Sequence, residues 1–398
     1  MAFNGEELCE IFSWLPGKSV FKLAAVAKSC REFSSEDFFI KKQSQNMVHK
    51  NDSAFFMQPN SFGLGQEAKF HVLPGEKTST GVPNKSLDFL KKFGRLVGSS
   101  NGLVCCKNIS DNPIANELFI CNPATQRWLS IPLPWKFQDP SQKKFDIVFQ
   151  CNTGPSNEFP SDYFLMAVRG TNTEYWRSSS ELICKIYSPA EEIWQEKGLI
   201  KVGTRSILVE SFIYQKDICY FLSDFNVYES KESSFYQPYI VVFDPNEGST
   251  SFLQVPEGAR KNGSFDLNYL DMGIFKWGKG NQESICFVKL SKGAFTVWAL
   301  EVGHKKSDSW IKILTVRTRA IMSWESNPKI YGFTVINGDS LLMATKGRVY
   351  RYSLTSHGRR NKAKKVCSNP YGNGYKLQFF PYSNTLRPCG DGETPIPE

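Results

Sequence analysis

The fold is decided by two runs of sequence, Ser99-Ser100-Asn101-Gly102-Leu103-Val104-Cys105-Cys106 and Leu118-Phe119-Ile120-Cys121-Asn122-Pro123-Ala124-Thr125-Gln126-Arg127-Trp128-Leu129-Ser130-Ile131-Pro132. Asn-Gly readily takes the positive φ values of a two-residue hairpin turn, so Asn101-Gly102 marks one. Leu103 to Cys106 then reads as a short buried strand. After a polar connection, Leu118 to Cys121 is a second strand. Asn122-Pro123-Ala124-Thr125 turns the chain, with Pro123 pre-setting φ at the second turn position. From Gln126 to Pro132 polar and apolar residues alternate, as in an outer strand. Residues 94–134 therefore spell out one small antiparallel sheet.

The pattern recurs. Leu182 to Tyr187, Ser188-Pro189-Ala190-Glu191, then Ile193-Trp194 is a second copy. Tyr239 to Phe243, Asp244-Pro245-Asn246-Glu247, then Phe252 to Pro256 is a third. Phe295 to Leu300 followed by Trp310 to Ile313 is a fourth, and Gly347 to Leu354 a weaker fifth. The turn prolines lie about 66 and about 56 residues apart. Each gap also holds a lead-in pair of strands: Ile213 to Phe221 around Gln215-Lys216-Asp217, Phe275 to Val288, and Gly332 to Met343 around Asn337-Gly338-Asp339. Four-stranded units at this period predict a β-propeller of kelch type, whose repeat is about 50 residues. An irregular β-sandwich would supply the strands but not the recurring turn followed by Trp. Ser53 to Met57 and Ala68 to Val72 read as two strands of an incomplete first blade. Tyr375 to Phe380 is the strand expected to complete it, closing a ring of about six blades and hiding its edges.

Composition is that of a globular chain rich in aromatics, which suits sheet packing. No run approaches the ~18 apolar residues of a membrane helix. Glu6, Glu7 and Glu10 crowd the first residues, so no secretory leader is expected. Eleven cysteines without a Cys-x-x-Cys, several in predicted buried strands (Cys105, Cys121, Cys184, Cys219, Cys286), read as reduced core thiols of a cytoplasmic or nuclear protein. The net charge of +9 is concentrated late: residues 341–398 hold ten Lys and Arg against three acids, with Arg359, Arg360, Lys364 and Lys365 in one run. That run reads as a solvated hairpin, an import signal or a patch for an anionic partner. No aromatics interleave with it, which argues against a nucleic-acid platform.

Residues 1–48 differ in kind. Glu6 to Trp14 carries Leu8, Ile11 and Phe12 at helical spacing, and Leu15 extends the stripe. Pro16-Gly17 stops that helix. Lys18 to Cys30 predicts a second helix, apolar on nearly every side, which a surface helix is not. Ser34-Ser35-Glu36-Asp37 has N-cap chemistry and opens a third helical stretch with Phe38, Phe39 and Ile40. A domain of about 45 residues cannot enclose such a second helix, because it buries too little of its own surface. The segment must pack on the propeller or wait for a partner.

Glu10-Ile11-Phe12-Ser13-Trp14-Leu15-Pro16-Gly17-Lys18-Ser19 resembles the F-box, in its plant version with a Leu-Pro-x-Lys-Ser core. Ala25-Val26-Ala27-Lys28-Ser29-Cys30 stands where plant F-boxes usually have Cys-Val-Cys-Lys-Ser-Trp. Asp37-Phe38-Phe39 matches the Asp-x-Phe or Pro-x-Phe usual beyond it. The remainder is similar to the F-box-associated, kelch-like propellers of that family. Ser99 to Cys106, Cys121 to Thr125, and Leu386-Arg387-Pro388-Cys389 look like its landmarks. The resemblance implies an all-α F-box of about three helices over 1–48, a linker with the first propeller strands over 49–93, an all-β propeller of about six blades over 94–390, and a flexible tail over 391–398. Two positions depart from the pattern. The opening Leu-Pro is absent near Phe3-Asn4, and Cys30 replaces the Trp that ends the second helix. Both fall on elements that face the adaptor in the family, so adaptor binding is expected to be weakened.

The resemblance implies the substrate-recognition subunit of a Skp–cullin–F-box ubiquitin ligase. Leu8, Ile11, Phe12, Leu15, Pro16, Val20, Leu23, Val26 and Cys30 would meet a Skp-type adaptor or form the segment's own core. Through the adaptor the chain would join a cullin. The propeller would hold a target protein, with Arg359, Arg360, Lys364 and Lys365 as candidate contacts. The alternative is a propeller interaction module whose degenerate F-box no longer joins the ligase. Catalysis finds no support: His49, His71, His304 and His357 are scattered, and no metal spacing, phosphate loop or cofactor motif occurs. An enzymatic propeller would need acids or histidines clustered on loops at one end of its channel.

Overall fold

The computed structural model describes residues 5–48, 52–60, 68–74, 95–107, 117–135, 145–151, 162–171, 180–224, 236–260, 271–278, 283–301, 309–326, 328–355, 362–372 and 375–395. Four helices come first: α1 (Gly5–Ser13), α2 (Gly17–Val26), α3 (Lys28–Ser34) and α4 (Asp37–Val48). Two strands come next, β1 (Ala54–Pro59) and β2 (Lys69–Val72). Five four-stranded units then succeed one another. The first is β3 (Arg95–Ser100), β4 (Leu103–Lys107), β5 (Leu118–Asn122) and β6 (Arg127–Ile131). The second is β7 (Asp146–Cys151), β8 (Tyr163–Gly170), β9 (Glu181–Ser188) and β10 (Ile193–Lys201). The third is β11 (Ile207–Gln215), β12 (Ile218–Ser223), β13 (Tyr239–Asp244) and β14 (Ser249–Gln254), trailed by the one-turn helix α5 (Glu257–Arg260). The fourth is β15 (Met272–Trp277), β16 (Ser284–Ser291), β17 (Ala294–Glu301) and β18 (Ser309–Arg317), trailed by α6 (Thr318–Ile321). The fifth is β19 (Gly332–Ile336), β20 (Ser340–Ala344), β21 (Arg348–Ser353) and β22 (Lys364–Ser368). β23 (Leu377–Tyr382) and β24 (Thr394–Pro395) end the described chain.

β23 does not start a new unit. It pairs antiparallel with β1, from Ala54 opposite Tyr382 to Pro59 opposite Leu377, and β1 pairs with β2. The first strand of each blade packs against that of the next, from β3 through β7, β11, β15 and β19 to β23, which returns to β3. The molecule is a six-bladed β-propeller closed by its last long strand, with a helical segment at the front. The closing strand lies two residues later than the sequence predicts. Tyr382, fully buried and edge-on to Phe56 at 5.3 Å, fixes the register, while Tyr375 is exposed.

The repeat seen in the sequence is geometric. Gln126, Glu192 and Gly248 each lie three residues after a turn proline, and each has positive φ, at 56°, 55° and 64°. Asn122 and Asp244 side chains accept bonds from the backbone N–H two residues on, at 2.9 and 2.8 Å, which is why an Asx residue precedes proline there. Asn101-Gly102 and Asn337-Gly338 both take positive φ at both positions, as hairpin turns of this kind require.

Six hydrophobic cores lie between blades, one per interface. Along β16, Cys286 and Val288 face blade five while Ile285 and Phe287 face blade three. Both faces of a central strand are covered, so such strands read as unbroken apolar runs. All eleven cysteines are unpaired and ten are buried.

Two elements differ from expectation. The helix predicted from Lys18 to Cys30 breaks at Ala27, whose φ of −132° and ψ of 124° are extended. No proline or glycine stands there. The break lets Phe33 on α3 reach Phe12 at 5.7 Å and Phe39 at 5.1 Å, so packing overrides local propensity. The stretch expected to run free from 391 carries β24, which pairs Thr394 with Trp128 and Pro395 with Arg127 on the outer edge of blade one.

Candidate interaction surface

The helical segment has its own small core, of Cys9, Val20 and Phe39, joined by Leu386 from the propeller and flanked by Phe12, Leu15, Phe33 and Ile40. Pro16 is the N-cap of α2, and its carbonyl accepts from Ser19 at 2.8 Å and Val20 at 3.2 Å. The segment is fastened to the stretch after β23. Gly17 N–H donates to the Asn384 carbonyl at 3.2 Å. Gln43 donates through Nε2 to the Leu15 carbonyl at 2.9 Å and accepts from Leu386 N–H at 3.0 Å. A Cβ on Gly17 would come within 2.7 Å of Asn384 Oδ1, so any larger residue there would have to displace the Asn384 side chain.

The same stretch is bound to blade one. Asn122 Nδ2 donates to the carbonyls of Thr385 at 3.1 Å and Arg387 at 2.7 Å, and Thr385 Oγ1 donates to the Asn101 carbonyl at 3.2 Å. Arg387 is buried and ion-paired with Asp162. Burial pushes the Asp162 carboxyl upward, and the guanidinium opposes that shift. The three landmarks noted in the sequence therefore meet at one place, the joint between helices and ring.

The side chains that the helices leave exposed form the candidate surface. Of the eleven large apolar side chains exposed among the described residues, five lie on α1, α2, α4 and the α1–α2 turn: Ile11, Trp14, Phe21, Val26 and Phe38. Val26 is 81% exposed and Phe38 65%. So dense an apolar display on so short a segment is the mark of an interaction site. Two of the rings are held in place. Trp14 Nε1 donates to Glu10 at 3.3 Å, Lys42 ion-pairs with Glu10, and the Lys42 ammonium stands over Phe38 at 5.7 Å. Lys42 and Trp14 hold the Glu10 carboxyl below its usual range.

Of the residues proposed from sequence, Ile11 and Val26 are exposed. Leu8, Phe12, Leu15, Pro16 and Leu23 are half-buried. Val20 and Cys30 are buried, so a Trp in place of Cys30 would have to be accommodated in the segment's interior. Trp14, Phe21 and Phe38 were not among them. Helical spacing ranks residues by the inward stripe, and these three lie off it. Arg359 and Arg360 fall outside the described residues. Lys364 and Lys365 are exposed on β22. Among the described residues no group of three His, Cys, Asp or Glu could hold a metal ion, and no helix is long and apolar enough to cross a membrane. His71 stacks on Phe55 at 5.5 Å, and burial lowers its basicity.

Over 192 residues, 44% of its length, the chain is 24% identical to F-box protein At5g49610 from Arabidopsis thaliana. The chain resembles an F-box protein. It spans about half the length of that curated relative. No protein-family model matches. Similar solved structures include a protein from Lactobacillus plantarum, at 9% identity over 83% of this chain and 100% of that one with a TM-score of 0.41. Saccharomyces cerevisiae Sqt1 is also similar, at 9% identity over 80% of this chain and 72% of that one with a TM-score of 0.37. The F-box relative and the helices-plus-propeller architecture support a role in protein interaction.

Proposed function

We propose that the chain is the target-recognition subunit of a Skp–cullin–F-box ubiquitin ligase, acting in the cytoplasm or nucleus. In this reading the helices dock a Skp-type adaptor and, through it, a cullin. The kelch-like propeller presents a target protein, and the chain performs no chemistry of its own. The observation that carries the reading is the cluster of Ile11, Trp14, Phe21, Val26 and Phe38 on a helical segment whose other side is fastened to the ring. A rigid fastening suits a receptor, because it holds whatever the ring binds at a fixed place relative to the adaptor.

The test is capture of a purified Skp-type adaptor by the full chain. Leu15 and Pro16 help form the segment's interior and its α1–α2 turn, so changing them confounds contact with folding. Phe21→Asp and Val26→Asp change only exposed positions. Each should reduce capture severely while leaving the melting curve unchanged, since buried interface anchors are typically worth ~2 kcal/mol or more. If the wild-type chain retains no adaptor, the ligase reading fails and a propeller module with a degenerate F-box replaces it. The departures at Phe3-Asn4 and Cys30 favour that second reading.

A further inference from the structure

A groove of about 690 Å³ runs between β21 and β22 of blade five and the segment leaving blade four. Its size is that of a site for a small ligand or a few residues of peptide. Trp324, half exposed, forms one wall. Tyr350 forms the floor, its ring 5.9 Å from that of Trp324. Arg348, Lys362, Lys364 and Lys365 surround them.

The floor is built, not incidental. Trp324 Nε1 donates to Tyr350 Oη at 3.0 Å, and Tyr350 Oη donates to Glu325 at 2.6 Å. Thr345 Oγ1 donates to the same carboxylate oxygen at 3.0 Å. Glu325 is thus committed to the floor. The segment after β18 is held to the start of β22 by Ala363 N–H donating to the Ile321 carbonyl at 3.1 Å, and by Lys362 Nζ donating to the Ala320 carbonyl at 2.6 Å. A bulge sets Tyr350 opposite Lys365 while the preceding Val349 lies opposite Cys367. The extra residue is Val366, so the bulge shifts Lys365 relative to Cys367, and Lys364 and Lys365 at the start of β22 both line the groove.

Arg348 donates to Tyr350 Oη at 3.5 Å and feels the Glu325 carboxylate beyond it, whereas Lys364 and Lys365 stand at the groove mouth without such a neighbour among the described residues. Among the described residues no carboxylate lies within ion-pair distance of Arg348, Lys362, Lys364 or Lys365. Like charges gathered around an ordered aromatic floor repel one another until an anion joins them. A phosphate brings about two negative charges and three acceptor oxygens, suited to Arg and Lys donors. Strand-binding nucleic-acid sites offer several stacking rings in succession. Among the described residues that line this groove, one exposed ring, Trp324, is present, and the groove is a few residues long.

We propose that this groove binds a phosphorylated, acidic stretch of a partner protein, with Arg348, Lys364 and Lys365 meeting the phosphate and Trp324 packing on the neighbouring residue. The proposal rests on the reading of the propeller as the target-binding part, and it gives that target a chemistry. The helices dock beside blades one and six, so the groove residues take no part in that contact.

The probe is a short fluorescein-labelled peptide with one phosphoserine flanked by aspartates and glutamates, titrated by anisotropy with the full chain. Its unphosphorylated twin and a labelled single-stranded oligonucleotide of equal charge are run beside it. The phosphopeptide should bind at least about tenfold more tightly than either, and affinity should fall with added salt. Lys364→Gln with Lys365→Gln should weaken it by about tenfold or more and flatten the salt dependence. Arg348→Gln should do likewise, and Trp324→Leu should weaken binding without changing the salt slope. Equal affinity for the twin, tighter binding of the oligonucleotide, or an unchanged lysine variant would overturn the proposal. Adaptor capture is measured on the same samples. Loss of capture by the wild type with peptide binding intact overturns the ligase reading alone, and the converse overturns the groove alone.

Discussion

Asp52 stands where the β19–β20 turn of blade five meets the chain entering β1. Its backbone exchanges hydrogen bonds with the Asn337 side chain at 2.6 and 3.2 Å, and its carboxylate accepts from Ser383 at 2.7 Å. Burial pushes its pKa up to about 6, with Ser383 and the nearby Lys276 pulling the other way. The unfolded chain releases the same proton near pH ~4. Between those values the folded state holds a proton that the unfolded state has lost, so Asp52 makes stability fall as pH rises through that window. Asp52→Asn keeps an acceptor for Ser383 and removes the titration. The melting temperature of the variant, relative to wild type, should therefore rise as pH goes from about 4 to about 7. Parallel curves would show that Asp52 is already ionised throughout. Glutamines show the residue scale from another side. Gln58 donates to the Leu96 carbonyl and accepts from Leu96 N–H, at 2.8 and 3.2 Å, and Gln150 does the same for Tyr214, at 2.5 and 3.1 Å. Each amide clips one blade to the next, as Gln43 clips the helices to Leu386. In the sequence these look like solvated polar residues of strands, since nothing local marks the facing backbone they satisfy. Gln150→Leu would leave a part-buried N–H and carbonyl without this partner and should cost about 1 kcal/mol in urea unfolding.

At the scale of elements, the strands were legible because their turns carry local chemistry. Asx-Pro and Asn-Gly set φ within a few residues, and the alternation of outer strands comes from one covered face. The recurring Trp was visible too, although its purpose was not. Trp194 Nε1 donates to the Pro132 carbonyl at 2.6 Å, and Trp310 Nε1 to the Gln254 carbonyl at 2.8 Å. The ring of one outer strand is hooked to the end of the outer strand before it, a contact between blades that no single repeat contains. The helices were legible as apolar stripes, whereas the break at Ala27 was not, because it answers to Phe12, Phe33 and Phe39 together. The docking of the segment depended on Leu386, whose position more than 300 residues downstream gives no local sign of packing among helices. Leu386→Ala removes that anchor. It should cost about 2–5 kcal/mol of docking energy and make α1–α4 the first region cut by a non-specific protease, with the propeller still protected. Helices as resistant as in wild type would mean that the hydrogen bonds of Gly17 and Gln43 suffice to hold them.

At the scale of the molecule, stability is distributed around a ring. Each blade owns half of two cores and none outright, so no blade has a hydrophobic interior without its neighbours. Such an arrangement is as strong as its closure, and closure here depends on β23. That strand brings Leu377 and Phe379 to the core shared with blade five, and Tyr382 to the core shared with blade one. It also covers the edge of β1 over six paired residues. Deleting 372–398 therefore takes side chains from three of the six cores, Cys389 being a member of the one between blades one and two, and leaves β1 with an unpaired edge beside exposed apolar surface, the combination that templates association between chains. The truncated chain should aggregate on light scattering and lose its cooperative melt. Because this deletion also removes Leu386, the Leu386→Ala chain serves as its control. It releases the helices while keeping β23, and it should remain monomeric with a cooperative propeller transition. Aggregation of both would place the weakness in the exposed helices. A 372–398 deletion that stays monomeric and melts like wild type would mean that the ring does not depend on its closing strand.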